Sequence, residues 1–215
     1  MYYQPIVQLS TGITKGYESL LRGNLSTEEI FKRYQLQNRL IELDFWCIQN
    51  AINLVGKLKY DQKLFINCHP RTLNEIKAEL INQAMFNNSP INPNQVVLEI
   101  TEHEEIDLQS YHYHIEKLRK LGILIAIDDF GNKISDLQYL KQMNPDIVKI
   151  DKAIADNLKM LEVQNFIEEL IFLQQDQKFK IIAEGIETEE QNQIFQYLGI
   201  EYGQGWLFGK PQPNI

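Results

Sequence analysis

The sequence predicts an α/β chain that closes as a single (β/α)8 barrel of TIM-like type, and three observations predict it. Short apolar runs rich in Val, Ile, Leu and aromatic residues alternate with longer stretches of helical period. Eight such runs fall within 215 residues, a length that suits one barrel domain. No Gly-x-Gly-x-x-Gly loop follows the first run, which removes the main reason to expect an open doubly wound sheet.

In chain order the first expected strands are Tyr2 to Val7 and Gly16 to Leu21, both built from aromatic and β-branched residues. A helix is expected over Leu40 to Leu58, then a strand at Leu64 to Cys68 and a helix at Thr72 to Phe86. The Asn- and Pro-rich segment Asn87 to Asn94 reads as a helix-to-strand loop, too short to divide two cores. Val96 to Thr101 is the next strand, and Tyr111 to Leu121 a helix stopped by Gly122. Strands at Leu124 to Asp128 and Ile147 to Ile150 precede a helix over Asp156 to Gln175. Strand Ile181 to Glu184, helix Glu189 to Leu198 and strand Gly203 to Phe208 complete the set. With no linker and no internal repeat, residues 1–215 read as one domain.

Composition bounds the function. A chain 44% hydrophobic and 23% charged can bury a large core, and no apolar run approaches the roughly 18–20 residues of a membrane-spanning helix. The net charge of −8, with Lys and Arg spread along the chain, argues against a DNA or RNA duplex as partner but not against a small phosphate ligand in a locally cationic or metal-filled cleft. The N-terminus shows no basic segment followed by an apolar stretch, so a cytoplasmic protein is expected. Cys47 and Cys68 form no CxxC pattern and are expected to be buried thiols. No Gly-x-Ser-x-Gly elbow occurs, and consecutive Cys68 and His69 point to opposite sides of a strand. His112 and His114 would lie on different faces of a helix start expected to be solvated, and His69 and His103 lack spaced partners.

The acidic residues are placed differently. The apolar runs end in, or carry, Glu18, Asn67, Glu99, Asp128-Asp129, Lys149 and Glu184. In a parallel barrel such strand ends converge on one face, where active sites are assembled. One acid after a strand is ordinarily a helix cap. Five carboxylates at one mouth cannot all ionise unaided, and oxygen-liganded divalent ions, Mg2+ or Mn2+, would neutralise them. Lys149 interrupts the apolar run Ile147 to Ile150: either it lies on an edge and points to solvent, or it points inward as an ammonium among carboxylates, able to position or deprotonate water.

These residues and their spacing resemble the EAL-domain family of cyclic di-GMP phosphodiesterases. The resemblance runs through Tyr3-Gln-Pro-Ile-Val7, Glu18-Ser-Leu-Leu-Arg22, Ile66-Asn-Cys-His-Pro70, Leu98-Glu-Ile-Thr-Glu102, Ile127-Asp-Asp-Phe-Gly131, Val148-Lys-Ile-Asp151, Ala183-Glu-Gly-Ile-Glu187 and Gly203-Gln-Gly205. It implies a barrel that binds two divalent ions through Glu18, Asn67, Glu99, Asp128, Asp129 and Glu184. Lys149 would act on the attacking water, with Glu187 and Gln204 in support, and Gln4, Leu20 and Arg22 would contact cyclic di-GMP. The implied reaction is in-line displacement at one phosphorus, with the 3′ oxygen leaving and linear pGpG as product. The resemblance leaves open a homodimer and an attached sensory or output domain.

Two departures stand out. Ser19 replaces the family's Ala, and its hydroxyl is expected to find a backbone partner. Phe130-Gly-Asn-Lys-Ile-Ser-Asp136 stands where the family reads Phe-Gly-Thr-Gly-Tyr-Ser-Ser, a loop that Glu102 is expected to position; Lys133 in place of Gly would cost about 1 kcal/mol where φ must be positive. The stretch from Gly23 to Leu43 is also shorter than the family's. The alternative to an active phosphodiesterase is therefore a catalytically impaired relative that binds cyclic di-GMP or a protein partner. An unrelated metal-dependent barrel enzyme would require the ordered motifs to coincide by chance.

Overall fold

The computed structural model describes residues 1–75, 86, 89–101, 107–131 and 137–215. In order, its elements are β1 (Tyr2–Gln8), β2 (Thr14–Leu20), α1 (Thr27–Leu36), α2 (Leu40–Leu54), β3 (Lys63–Asn67), α3 (Pro70–Glu75), β4 (Val96–Thr101) and α4 (Leu108–Lys120). The second half runs β5 (Leu124–Phe130), α5 (Leu137–Met143), β6 (Ile147–Ile150), α6 (Lys152–Asp156), α7 (Leu161–Gln177), β7 (Lys180–Ala183), α8 (Glu189–Tyr197) and β8 (Tyr202–Gln204). The strands close into a barrel in sequence order, β1 to β8.

The barrel is not wholly parallel, as a plain β/α alternation would make it. Strands β2 to β8 run parallel, whereas β1 is antiparallel to both β2 and β8. The cause is local. The five residues between β1 and β2, with Gly12 at φ +67°, can close a hairpin but are too few for the crossover a parallel pair needs.

The expected strands all form, within a few residues, and β8 is the shortest. Three helices were not legible in advance. Helix α1 carries a capping box between Ser26 and Glu29 but buries no residue, so it shows no apolar stripe. Helices α5 and α6 are too short to display a period. The helix expected over Asp156 to Gln175 is α7, which starts only at Leu161; Asp156 is the last residue of α6. The expected helix at Thr72 begins at Pro70, and residues 76–85, 87 and 88 lie outside the described set. Within the helix start expected to be solvated, Tyr113 is exposed and His112 and His114 are half-buried, whereas Tyr111 is buried in the core.

Both faces of the strands are covered, which accounts for their nearly continuous apolar character. Outward-facing Ile66, Leu98, Ile127, Val148 and Ile181 pack under helix residues such as Ile52, Ile115, Ile167 and Phe195. Inward-facing Ile6, Phe65, Val97, Ala126, Ile147 and Ile182 form a second, separate cluster inside the barrel. Cys47 and Cys68 are buried free thiols, as expected.

Candidate active site

The inner apolar ring sets where the polar groups go. Side chains on a strand alternate in direction, so the residue two positions beyond an inward apolar one also points inward. Two steps toward the C-terminal end, Phe65 leads to Asn67, Val97 to Glu99, Ala126 to Asp128, Ile147 to Lys149 and Ile182 to Glu184. Gly16 leads to Glu18 and Tyr202 to Gln204, while reversed β1 brings Gln4 to the same level two residues before Ile6. The barrel thus carries an apolar layer capped by a polar layer to which every strand contributes.

A regular strand would send Asp128 and Asp129 to opposite faces. The β5–β6 register shifts between Ile127 and Phe130, placing one extra residue on β5, and Asp129 adopts φ +56°, a left-handed conformation that Asp tolerates better than most residues. Carboxylate oxygens of Asp128, Asp129 and Glu184 consequently lie within 4.8 Å of one another.

Lys149 is 0% exposed and resolves the choice between edge and interior. Its Nζ lies 2.7 Å from Glu99, 2.8 Å from Glu184, 2.9 Å from Asp128 and 3.5 Å from Glu18. Burial alone would lower its pKa, but Asp128, Glu18, Glu184 and Glu99 outweigh that and raise it well above the ordinary lysine value. In the metal-free chain those carboxylates favour the ammonium form of Lys149.

One ammonium does not balance five carboxylates. Burial, followed by repulsion from Asp128 and Glu18, pushes Glu184 up to about 8 against the pull of Lys149. Burial, Asp128 and Asp151 push Asp129 up to about 6. Burial raises Glu99 well above the usual carboxylate range. Glu99 Oε2 is buried without a hydrogen-bond donor among the described residues, and buried Glu99 Oε1 and Asp128 Oδ1 have only Lys149 Nζ beside them. Such under-compensated oxygen donors fit hard divalent cations, which would neutralise the excess charge and occupy the free lone pairs.

Amides frame the acids. Asn67 Nδ2 donates to Glu18 Oε1 at 3.2 Å, and Gln204 Nε2 donates to Glu18 Oε2 at 2.6 Å and to Gln4 Oε1 at 3.2 Å. Gln4 Nε2 in turn donates to the Gly209 carbonyl at 3.1 Å, so both ends of its carboxamide are engaged. Gln204 Oε1 is buried without a hydrogen-bond partner among the described residues. Gln204 can sit here because Gly205 lets the backbone pass against Ile186: a Cβ at Gly205 would overlap the Ile186 carbonyl.

The EAL domain family matches residues 1–211. The chain belongs to the EAL domain family. This EAL domain is 34% identical over 223 residues to the probable cyclic di-GMP phosphodiesterase PdeB of Escherichia coli K12, a match covering 100% of this chain and 43% of PdeB. The domain thus spans less than half the length of that relative. It is also similar to Klebsiella pneumoniae BlrP1 in a complex with calcium and cyclic di-GMP, with a TM-score of 0.88 at 28% identity, covering 98% of this chain and 55% of that one. The BlrP1 complex with manganese and cyclic di-GMP gives a TM-score of 0.87 at 27% identity, with the same coverage.

Other expected site residues of the EAL domain fall in three groups. Leu20 and Arg22 line a cavity of about 300 Å³ that opens beside Asn67 and Glu99. Arg22 is exposed, and its guanidinium donates to the Leu21 carbonyl at 2.9 Å. Glu187 is not among the converging groups: it is exposed and paired with Lys152. Glu102, His103 and the altered loop Asn132 to Asp136 lie outside the described residues. Ser19 departs from expectation, since its hydroxyl is buried without a partner among the described residues and lines the same cavity as Leu20. Sequence reasoning missed Asp44 of α2, whose Oδ2 accepts 2.7 Å hydrogen bonds from His69 N and Thr72 Oγ1 and fixes the turn after Asn67. Its signal was an acid in phase with the apolar face of α2, between Leu43 and Cys47.

Proposed function

We propose that this EAL domain, residues 1–215, hydrolyses cyclic di-GMP to linear pGpG and so lowers the level of that second messenger. The observation that carries the reading is the buried acidic layer around Lys149, assembled from separate strands at the C-terminal mouth of the barrel. Glu18, Asn67, Glu99, Asp128, Asp129 and Glu184 would hold two Mg2+ or Mn2+ ions. When bound, such ions lower the pKa of water and neutralise charge that builds on a phosphodiester.

The chain's own groups do the rest. Lys149, held among Glu99, Asp128 and Glu184, would turn one of its three N–H donors from a carboxylate to the attacking water and so orient it in line with the leaving 3′ oxygen. Gln204 presents its free Oε1 to the same region while its Nε2 holds Glu18 in place. Leu20 offers an apolar contact and Arg22 a cation for a phosphate oxygen from the adjoining cavity. Gln4 acts by fixing Gln204, and it would meet ligand only by exchanging one of its two hydrogen bonds. Two unpaired thiols support a cytoplasmic setting.

The test is to follow cyclic di-GMP with Mg2+ or Mn2+, with EDTA, and with a Glu18→Gln variant. The expected result is pGpG formation with metal alone, abolished by chelation and by the substitution. Nucleotide binding that ignores metal and leads to no product would replace this reading by that of a binding module.

A further inference from the structure

At the opposite end of the barrel, where strands β2 to β8 begin, lies a cavity of about 640 Å³. Its floor is the underside of the inner apolar ring, formed by Ile6, Phe65, Ile147 and Ile182, with Tyr202 on one wall. Its rim is cationic, in a chain of net charge −8. Lys15 and Arg119 are neutralised there, by Asp61 at 3.1 Å and Asp146 at 3.2 Å. Lys63, Lys178 and Lys180 are not: among the described residues none has a carboxylate within 4.0 Å. Lys63 donates to the Asn94 carbonyl, and Lys180 lies over the Tyr202 ring, 5.0 Å from its centroid. Lys63 opens β3 and Lys180 opens β7, strands that are not neighbours, so the two reach the cavity from different sides. Burial and then the nearby Lys180 push the Lys63 pKa down.

We propose that this cavity binds a phosphomonoester with a flat or apolar body, of the size of a nucleoside monophosphate. A phosphomonoester carries about −1.5 to −2 charges at neutral pH, which suits three unneutralised lysines better than the single charge of a carboxylate. The volume falls within the roughly 300–1,000 Å³ of small-ligand sites, and the apolar floor gives the body a surface to cover. Tyr202, with Lys180 over its ring, adds an aromatic side chain to the wall for the body to pack against. The site lies at the other mouth from the acidic layer, holds no cluster of carboxylates and needs no divalent ion, so it does not rest on the hydrolytic reading.

Calorimetric titration of the chain with adenosine 5′-monophosphate in EDTA tests it. One molecule should bind per chain, and adenosine or inorganic phosphate alone should bind at least about tenfold more weakly. Lys63→Gln and Lys180→Gln should each weaken binding by about tenfold. Glu18→Gln, at the other mouth, should leave it unchanged. Retained melting temperatures in the lysine variants separate lost contact from lost fold. No binding at millimolar nucleotide, inorganic phosphate binding as tightly as the nucleotide, or loss in Glu18→Gln with retention in the two lysine variants would each overturn the proposal.

Discussion

A lysine enclosed by four carboxylates does two jobs that a substitution can separate. Lys149 offsets part of the acidic layer's charge, and it holds a donor at a fixed point inside the barrel. Removing one partner of a buried ionic group typically costs about 3–5 kcal/mol. Lys149→Met should therefore lower metal-free stability by about that amount in urea unfolding with EDTA. With Mn2+ present, turnover should fall by at least about tenfold, while Mn2+ affinity does not fall because a competing cation is gone. A variant of unchanged stability and rate would show that Lys149 has neither role. The carboxylates carry a pH signature of opposite sign to an ordinary surface acid. Glu184 at about 8 and Asp129 at about 6 hold protons in the folded, metal-free chain that the unfolded chain has released, since their unperturbed values are 4.5 and 3.8. Their contribution to metal-free stability therefore decreases as pH rises through that window. Divalent ions must displace those protons, so apparent Mn2+ affinity should climb between pH 6 and 8 by up to about tenfold per unit for each proton released. An affinity flat across this range, by calorimetry, would contradict the arrangement.

At the scale of elements, small backbone devices aim the site. The extra residue in β5 turns both Asp128 and Asp129 to one mouth, and Gly205 lets β8 press against Ile186 so that Gln204 reaches Glu18. Gly205→Ala should force that contact apart, destabilising the chain by about 1–3 kcal/mol and lowering turnover even with saturating Mn2+. Equal stability and rate in that variant would place the constraint elsewhere. The strands were legible because buried β-branched runs bounded by polar residues identify themselves, and so was the polar layer, because Glu18, Glu99, Asp128, Lys149 and Glu184 interrupt those runs. The direction of β1 was not, since alternation carries no polarity and only the short link to β2 decides it. Helix α1 was hidden because its capping box announces a start while its residues, none of them buried, supply no stripe. The position of Glu187 was also out of reach: its spacing matches a motif, but its exposed pairing with Lys152 depends on where α6 begins.

Across the whole molecule the barrel has two chemically opposed mouths. Strands β2 to β8 start among lysines and an arginine and end among carboxylates, with one apolar layer between. The C-terminal segment ties the closure together, Tyr3 and Gln212 exchanging backbone hydrogen bonds of 2.7 and 3.0 Å beside β1. No helix among the described residues is long and apolar enough to cross a membrane. The acidic mouth is the centre of the account, because its excess charge is what divalent ions would satisfy. The most direct measurement is the number of Mn2+ ions bound per chain at pH 8, by titration of the intact protein and of Glu99→Gln and Asp128→Asn variants that keep their fold. Two ions are expected for the intact chain and fewer for each variant. Manganese that does not bind, or that binds in equal number after either substitution, would contradict this.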